Sequence, residues 1–158
     1  MKEYLLISAC LTGICCKYDG GANTLPAETL AALRERYELV PVCPELAGGL
    51  PSPRAPSERR NGRVVSCEGE DVTEAFRRGA ALALERARQA GCARALLKER
   101  SPSCGSGVIY DGSFSGRIIP GQGLTAELLK KSGLAVYSET GVEKLLGNSE
   151  CGMRNAEL

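Results

Sequence analysis

Short apolar runs alternate with longer amphipathic segments along this chain. The apolar runs have the length of β-strands, and they predict strands at residues 4–9, 38–42, 93–98 and 134–137. The amphipathic segments repeat their apolar residues every three to four positions, which predicts helices at residues 26–37, 71–90, 124–131 and 139–146. Asp71 is a predicted N-cap of the second helix, with Glu74 three residues later. The segments 43–62 and 99–123 are rich in Gly, Pro and Ser and are predicted loops.

This order predicts a single α/β domain. Strands that alternate with helices favour a mainly parallel sheet with helices on both faces. We therefore expect a Rossmann-like three-layer αβα fold over residues 1–147, with a loosely ordered tail at 148–158. A short strand at 63–66 is expected at an edge of the sheet, and a small hairpin at about 108–118 inside the second loop.

Charge and hydropathy exclude several classes of protein. The 20 basic and 19 acidic residues give a formal net charge of +1, whereas extended nucleic-acid binding normally needs a basic excess. No segment approaches the roughly 20 apolar residues of a membrane helix, and the first apolar run is too short for the core of a signal peptide. We expect a cytoplasmic protein whose ligand is a small molecule, with no membrane partner.

The cysteine and histidine counts narrow the chemistry. The chain has 8 cysteines and no histidine, which excludes Ser–His and Cys–His catalysis as well as mixed Cys/His zinc sites. In a reducing compartment, so many cysteines indicate metal binding or thiol chemistry rather than disulfides. No C-x-x-C pair is present, so a thioredoxin-type redox motif is absent.

Three of the cysteines lie where predicted strands end. Cys10 ends the first strand, Cys43 ends the second, and Cys104 lies in the loop after the third. Ligands of open α/β sheets bind beyond the carboxyl ends of the strands, so these thiols are expected to converge. Three thiolates form an incomplete shell for a zinc ion or an iron–sulfur cluster, and one metal position would stay open. The alternative is that all three are ordinary buried thiols.

Polar residues accompany these cysteines. Glu45 follows Cys43 by two residues. Ser101 and Ser103 precede Cys104, and Lys98 lies just before them in the sequence. A carboxylate and a hydroxyl beside an open metal position suit water activation and proton transfer. A solvated loop carboxylate and a serine that begins a turn are the simpler alternatives. A group of arginines follows within residues 54–63 and could form an anion pocket or a solvated basic loop: Arg54, Arg59, Arg60 and Arg63.

The same segments resemble the motifs of a known family. They read SACLTG and CKYDG within 8–20, CPE, GGL and PR within 43–54, and KERSPSCG at 98–105. In this order they are similar to the motifs of the DUF523 family, which includes the thiouracil desulfidases. The resemblance extends over about residues 4–146, nearly the whole chain.

The resemblance implies a [4Fe-4S] cluster on Cys10, Cys43 and Cys104, whose fourth iron is free to take the sulfur of a thiolated nucleobase. Glu45 and Ser101 match the positions that assist catalysis. We further expect Lys98, Ser103 and Arg54 to contact the substrate. The family reaction is non-redox and turns a thiolated uracil into uracil and sulfide.

Cys16 is the basis of the rival interpretations. As a fourth ligand, it would close the shell and make a structural or redox-sensing site with a cluster or zinc. Without a metal, it could form a switchable disulfide with Cys10.

Overall fold

The computed structural model describes residues 2–147. Its central sheet has four parallel strands in the order β2–β1–β5–β8. These strands are β1 (Glu3–Ser8), β2 (Tyr37–Val42), β5 (Arg94–Leu97) and β8 (Ala135–Ser138). A mainly parallel sheet was predicted from the alternation of elements, and the structure confirms it.

Within residues 2–147, five helices connect and cover the strands. They are α1 (Ala27–Arg36), α2 (Pro44–Ala47), α3 (Thr73–Ala90), α4 (Leu124–Lys131) and α5 (Val142–Leu146), and 3-10 turns lie at Ala9–Thr12 and Glu139–Gly141. No helix in the described part of the chain is long and apolar enough to cross a bilayer.

The alternation of side chains along β1 explains the layered fold. Successive strand residues point to opposite faces of a sheet. Leu5 and Ile7 pack in one apolar cluster with Leu33 of α1, whereas Leu6 packs in the other with Ala83 of α3. The sheet is therefore buried on both faces, as expected for a parallel sheet between helices. This is the predicted αβα arrangement.

Two antiparallel hairpins lie outside the main sheet. One pairs β3 (Ser57–Arg60) with β4 (Arg63–Ser66), and the other pairs β6 (Val108–Tyr110) with β7 (Ile118–Pro120). The second hairpin was predicted. The strand at 63–66 was also predicted; it lies at the edge of a separate two-stranded sheet and pairs with a strand inside a segment that was predicted as loop.

Two expectations need correction. Segment 43–62 contains α2 as well as β3. Helix α3 begins at Thr73, with Val72 as its N-cap, so Asp71 is not the N-cap residue. The Asp71 carboxylate nevertheless accepts hydrogen bonds from the Thr73 amide at 2.9 Å and the Thr73 hydroxyl at 2.6 Å. The predicted tail at 148–158 lies outside the described residues.

Strand order determines where a site can form. The chain passes from β1 to β2 on one side and later returns to β5 on the other side of β1. In open α/β sheets, such a reversal opens a crevice at the carboxyl ends of the two strands. The crevice lies where β1 runs into Cys10 and where β5 runs into the loop that carries Cys104.

Candidate active site

Three cysteines meet beyond the carboxyl ends of neighbouring strands. Cys10 lies in the 3-10 turn that follows β1, Cys43 is the N-cap of α2 directly after β2, and Cys104 lies in the loop after β5. Cys10 and Cys104 are buried and Cys43 is half-buried. The structure therefore brings together the three thiols that the strand ends predicted.

These thiols line one cavity of about 530 Å³. Glu45, Arg54, Lys98 and Ser101 of the predicted site line it too, whereas Ser103 does not. Most of the remaining lining residues come from the loop after Cys10, from β3, from the loop after β5 and from the hairpin formed by β6 and β7. Those used below are Cys16, Tyr18, Asn23, Glu58, Arg100, Tyr110 and Phe114.

Burial and mutual repulsion act on the cavity thiols. Burial raises the pKa of the Cys10 thiol above its ordinary value, and the nearby Cys43 thiol adds to the shift. The pKa of Cys104 is also raised, mainly by burial and further by the charges of Cys10, Glu45 and Cys43. These thiols are thus close enough to interact electrostatically. A cationic group in the cavity would favour their deprotonation.

Asn23 supports Cys10 directly. Its Nδ2 donates to the Cys10 Sγ at 3.6 Å, and its backbone amide donates to the Cys10 carbonyl at 3.0 Å. The side-chain hydrogen bond lowers the Cys10 pKa against the effect of burial. Hydrogen bonds to sulfur of this kind tune thiolate ligands. Sequence reasoning missed Asn23, since it lies 13 residues after the cysteine that it contacts.

Glu45 and Arg54 form a largely buried ion pair. The Arg54 Nε lies 2.8 Å from the Glu45 Oε1, and the side chains are 9% and 17% exposed. Arg54 also donates from Nη1 to the Pro51 carbonyl at 2.9 Å. Burial raises the pKa of Glu45, and the Arg54 charge opposes this effect. Arg54 was predicted to contact the substrate, and in the structure its Nε and Nη1 are occupied by Glu45 and the Pro51 carbonyl.

Two glycines fix the position of the helix that carries Glu45. A Cβ on Gly48 would lie 2.0 Å from the Ala75 carbonyl oxygen, and a Cβ on Gly79 would lie 1.9 Å from the Pro44 carbonyl oxygen. Helices α2 and α3 therefore approach each other through backbone atoms, which any larger residue would separate. Arg78 reinforces the contact by donating from Nη2 to the Gly48 carbonyl at 2.7 Å.

The Ser101 hydroxyl connects the loop of Cys104 to Glu45. Its oxygen accepts hydrogen bonds from the amides of Ser103 at 3.0 Å and Cys104 at 2.9 Å. The hydroxyl also hydrogen-bonds Glu45 and lowers the pKa of that carboxyl. One side chain thus sets the local fold beside Cys104 and the orientation of the carboxylate.

The rest of this loop is fastened to the start of α4. The carbonyl of Pro102 accepts from the Leu124 amide at 3.0 Å, and that of Ser103 accepts from the Thr125 amide at 2.9 Å. The buried Ser103 hydroxyl lies 2.7 Å from the Thr125 hydroxyl. Ser103 was predicted to bind substrate, and the structure instead places it in this connection between the loop and the helix.

Lys98 lies at the end of β5 with its ammonium toward the cavity. Its Nζ is 2.7 Å from the Glu139 Oε2, and it donates to the Glu99 carbonyl at 3.2 Å. The Lys98 charge lowers the pKa of Cys10, opposing the larger effect of burial. Lys98 therefore places a positive charge near the thiols.

Cys16 belongs to the same cavity. Burial raises its pKa to about 12, with a further contribution from the neighbouring Cys43 thiol. The Cys43 Sγ also donates to the Cys16 carbonyl at 3.8 Å. The described cysteines that do not line the cavity are Cys15 and Cys67, which are exposed, and Cys92, which is buried.

Buried thiols around one cavity are a donor set that suits an iron–sulfur cluster. Among residues 2–147, no group of three Cys, Asp or Glu side chains is placed to hold a single metal ion. The thiolates of a cubane are bound to different irons, so they stand farther apart than the ligands of one ion. Three thiols that line one cavity are donors that such a cluster can take.

Comparison with known proteins decides the family. The model of the 2-thiouracil desulfurase family matches residues 5–141. The chain belongs to this family. The match covers every residue of the predicted site, and it confirms the resemblance seen in the motifs.

Two proteins illustrate the membership in the 2-thiouracil desulfurase family. The chain is 42% identical over 152 residues to the uncharacterised protein YbbK of Bacillus subtilis (strain 168), covering 90% of this chain and 99% of that protein. It is similar in structure to the [4Fe-4S]-dependent thiouracil desulfidase TudS, with a TM-score of 0.87 and 46% identity over 91% of this chain and 95% of that one. This similarity also confirms the predicted fold.

Proposed function

We propose that this protein removes the sulfur of a 2-thiouracil-type base and releases the oxo base and sulfide. The observation that carries the proposal is the shared cavity, which is lined by three thiols, two buried and one half-buried, and by a carboxylate that interacts with an arginine and a serine. Family membership and the similarity to TudS support the same reaction.

Cys10, Cys43 and Cys104 would hold a [4Fe-4S] cluster. Three protein ligands would leave one iron without a protein ligand, and the cluster would then supply a Lewis acid for the thiocarbonyl sulfur. Asn23 orients Cys10 through its N–H to sulfur contact, and the Lys98 charge offsets part of the negative charge gathered there.

Glu45 takes the proton of the attacking water. Its carboxylate lines the cavity, and Arg54 and Ser101 restrict its orientation. Ser101 is a positioning residue for Glu45 and for the loop of Cys104, because its oxygen accepts from two backbone amides while its hydroxyl faces the carboxylate. Such fixed geometry is what general-base catalysis requires.

The reaction balances without an oxidant or a reductant. Water adds its oxygen to the thiocarbonyl carbon, and the carbon–sulfur bond breaks. The sulfur leaves as hydrogen sulfide with the two protons of the water, and the product is the oxo base. A buried carboxylate that first takes and then returns a proton is sufficient for the proton transfers.

The experiment is a paired assay of uracil and sulfide from 2-thiouracil, with iron determined on the same anaerobically reconstituted sample. We expect equal amounts of the two products, and we expect both to disappear in Cys43→Ala together with the iron. Cys67→Ala is the matched control, because Cys67 is exposed and does not line the cavity. Full iron without turnover, or turnover without iron, would contradict the proposal.

A second candidate is a closed, non-catalytic cluster, and the position of Cys16 beside Cys43 in the cavity favours it. Replacing Cys16 separates the two. In the open site, Cys16→Ala keeps its iron and its sulfide release. In the closed site, the same variant loses iron, and the parent protein releases no sulfide.

A further inference from the structure

Aromatic residues line the same cavity as the thiols. The chain has five tyrosines, two phenylalanines and no tryptophan, and three of these seven aromatic residues line this one cavity: Tyr18, Tyr110 and Phe114. Planar nucleobases are commonly bound by stacking on aromatic side chains. In a chain with so few aromatic residues, their concentration here points to the binding of a planar ring.

Phe114 has an unusual backbone conformation. Its φ is +58°, in the left-handed region that bulky residues rarely adopt. Three non-glycine residues of the described chain share this region, and two of them, Phe114 and Arg100, line the cavity. The third, Asn61, is of a type that tolerates it in turns. Unfavourable backbone conformations of this kind persist where the surrounding structure enforces them, often at functional sites.

A buried carboxylate enforces this conformation. Glu58 on β3 is 9% exposed, and its Oε1 accepts hydrogen bonds from the amides of Gly112 at 2.9 Å and Phe114 at 3.1 Å. Arg60 also contacts the hairpin of β6 and β7, because its Nη2 donates to the Gly112 carbonyl at 2.6 Å. A Cβ on Gly112 would lie 3.0 Å from the Arg59 carbonyl oxygen, so the two hairpins are in close contact.

The end of the hairpin between β6 and β7 is also braced from within. The Asp111 Oδ1 accepts from the Ser113 amide at 2.9 Å, and the Asp111 amide donates to the Arg117 carbonyl at 3.0 Å. Fixed backbone contacts therefore hold Phe114 from both sides. The ring itself has only two side-chain torsions, so ordering it on a ligand costs little conformational entropy.

We propose that Phe114 is the stacking surface for the thiolated base and that Glu58 is the residue that positions it. This inference rests on the proposed function, because it assigns the substrate-binding face of that same cavity. Phe114 would determine specificity and is separate from the thiols and from the Glu45–Arg54 ion pair.

Steady-state kinetics of the iron-loaded protein test the stacking. We expect Phe114→Leu to raise KM for 2-thiouracil about 5- to 150-fold, the range that base–aromatic stacking contributes, while kcat changes far less and iron content stays at the parent level. Phe114→Tyr keeps a ring and should stay within a few-fold of the parent. An unchanged KM in Phe114→Leu overturns the proposal and leaves the desulfuration itself intact.

The role of Glu58 has its own test. Glu58→Ala removes the acceptor of two amides and should raise KM as Phe114→Leu does, whereas Glu58→Gln keeps a carbonyl acceptor and should restore most of the affinity. The double variant Phe114→Leu with Glu58→Ala should be no worse than Phe114→Leu alone, because both changes act through one ring. Independent, multiplying effects would overturn the positioning role.

A binding measurement separates this inference from the chemistry. Phe114→Trp introduces the only tryptophan of the chain, and we expect 2-thiouracil or uracil to quench its fluorescence saturably. Tyr4→Trp is the matched control, since Tyr4 is 45% exposed on β1 and does not line the cavity. Saturable quenching without sulfide release would support the stacking and contradict the proposed reaction. No quenching in Phe114→Trp, with sulfide release in the parent, would contradict the stacking alone.

Discussion

The Arg54–Glu45 ion pair is part of the site, and replacing Arg54 by methionine tests whether it also contributes to the free energy of unfolding. Methionine keeps much of the side-chain length and removes the charge. Removing one partner of a buried ion pair costs about 3–5 kcal/mol because the other charge stays buried without compensation. Glu45 keeps 17% exposure, so we expect the lower end, about 3 kcal/mol. For a chain of this length, this corresponds to a drop in Tm of about 6–12 °C.

The assay is anaerobic scanning calorimetry at equal iron loading, since bound ligands shift apparent stability. Arg63→Met is the matched control: its partner Asp71 lies at 2.6 Å, but the side chains are 52% and 45% exposed. Exposed pairs contribute little, so its Tm should change only slightly. Adding Glu45→Gln to Arg54→Met should recover most of the loss, because the buried charge is then gone. If Arg54→Met costs no more than Arg63→Met, or if the double variant recovers nothing, the reasoning is wrong.

Three further predictions concern the surroundings of the site. Gly79→Ala should cost about 3 kcal/mol in the free energy of unfolding and lower kcat, because its Cβ would overlap α2; Gly141→Ala, with open space around it, should change neither. Burial acts against ionisation of Glu99, but hydrogen bonds from four backbone amides outweigh it and lower the pKa of this carboxyl below 4.5. The stabilisation by Glu99 is therefore present above that pH and lost as the pH falls through the folded value. Glu99→Gln should therefore lower the free energy of unfolding by about 1 kcal/mol at neutral pH. The Tm values of the variant and the parent should converge in acid, and a difference in Tm that does not depend on pH would refute this. Asn23→Leu removes the hydrogen bond to the Cys10 sulfur and should lower the reduction potential of the loaded cluster in a redox titration; an unchanged or higher potential would contradict that role.

The main sheet could be predicted because its signals are local. Runs such as residues 4–9 and 93–98 are apolar and bounded by loop residues, and parallel order follows from the helices between them. The convergence of Cys10, Cys43 and Cys104 needed only the rule that strand ends meet at one edge. Glu45 was within reach because it follows Cys43 by two residues.

The remaining contacts could not be predicted because they join residues that are far apart in the sequence. Glu58 meets Phe114 across 56 positions, and no periodicity relates β3 to the hairpin that it holds. Ser103 was assigned to the substrate because it precedes Cys104, yet residues that alternate along a loop face different neighbours, and its hydroxyl turns to Thr125. Helix α2 was missed because four residues are too short for a helical pattern to be seen.

The backbone contact between α2 and α3 bears on how such an enzyme could acquire new substrates. Carbonyl groups that touch glycines offer no side chain to exchange, so Glu45 depends on main-chain packing that tolerates almost no variation. The hairpin that carries Phe114 contains none of the cavity cysteines and belongs to a separate two-stranded sheet. A library that randomises residues 110–116 and leaves positions 48 and 79 untouched would explore ring size and shape without disturbing the reacting groups.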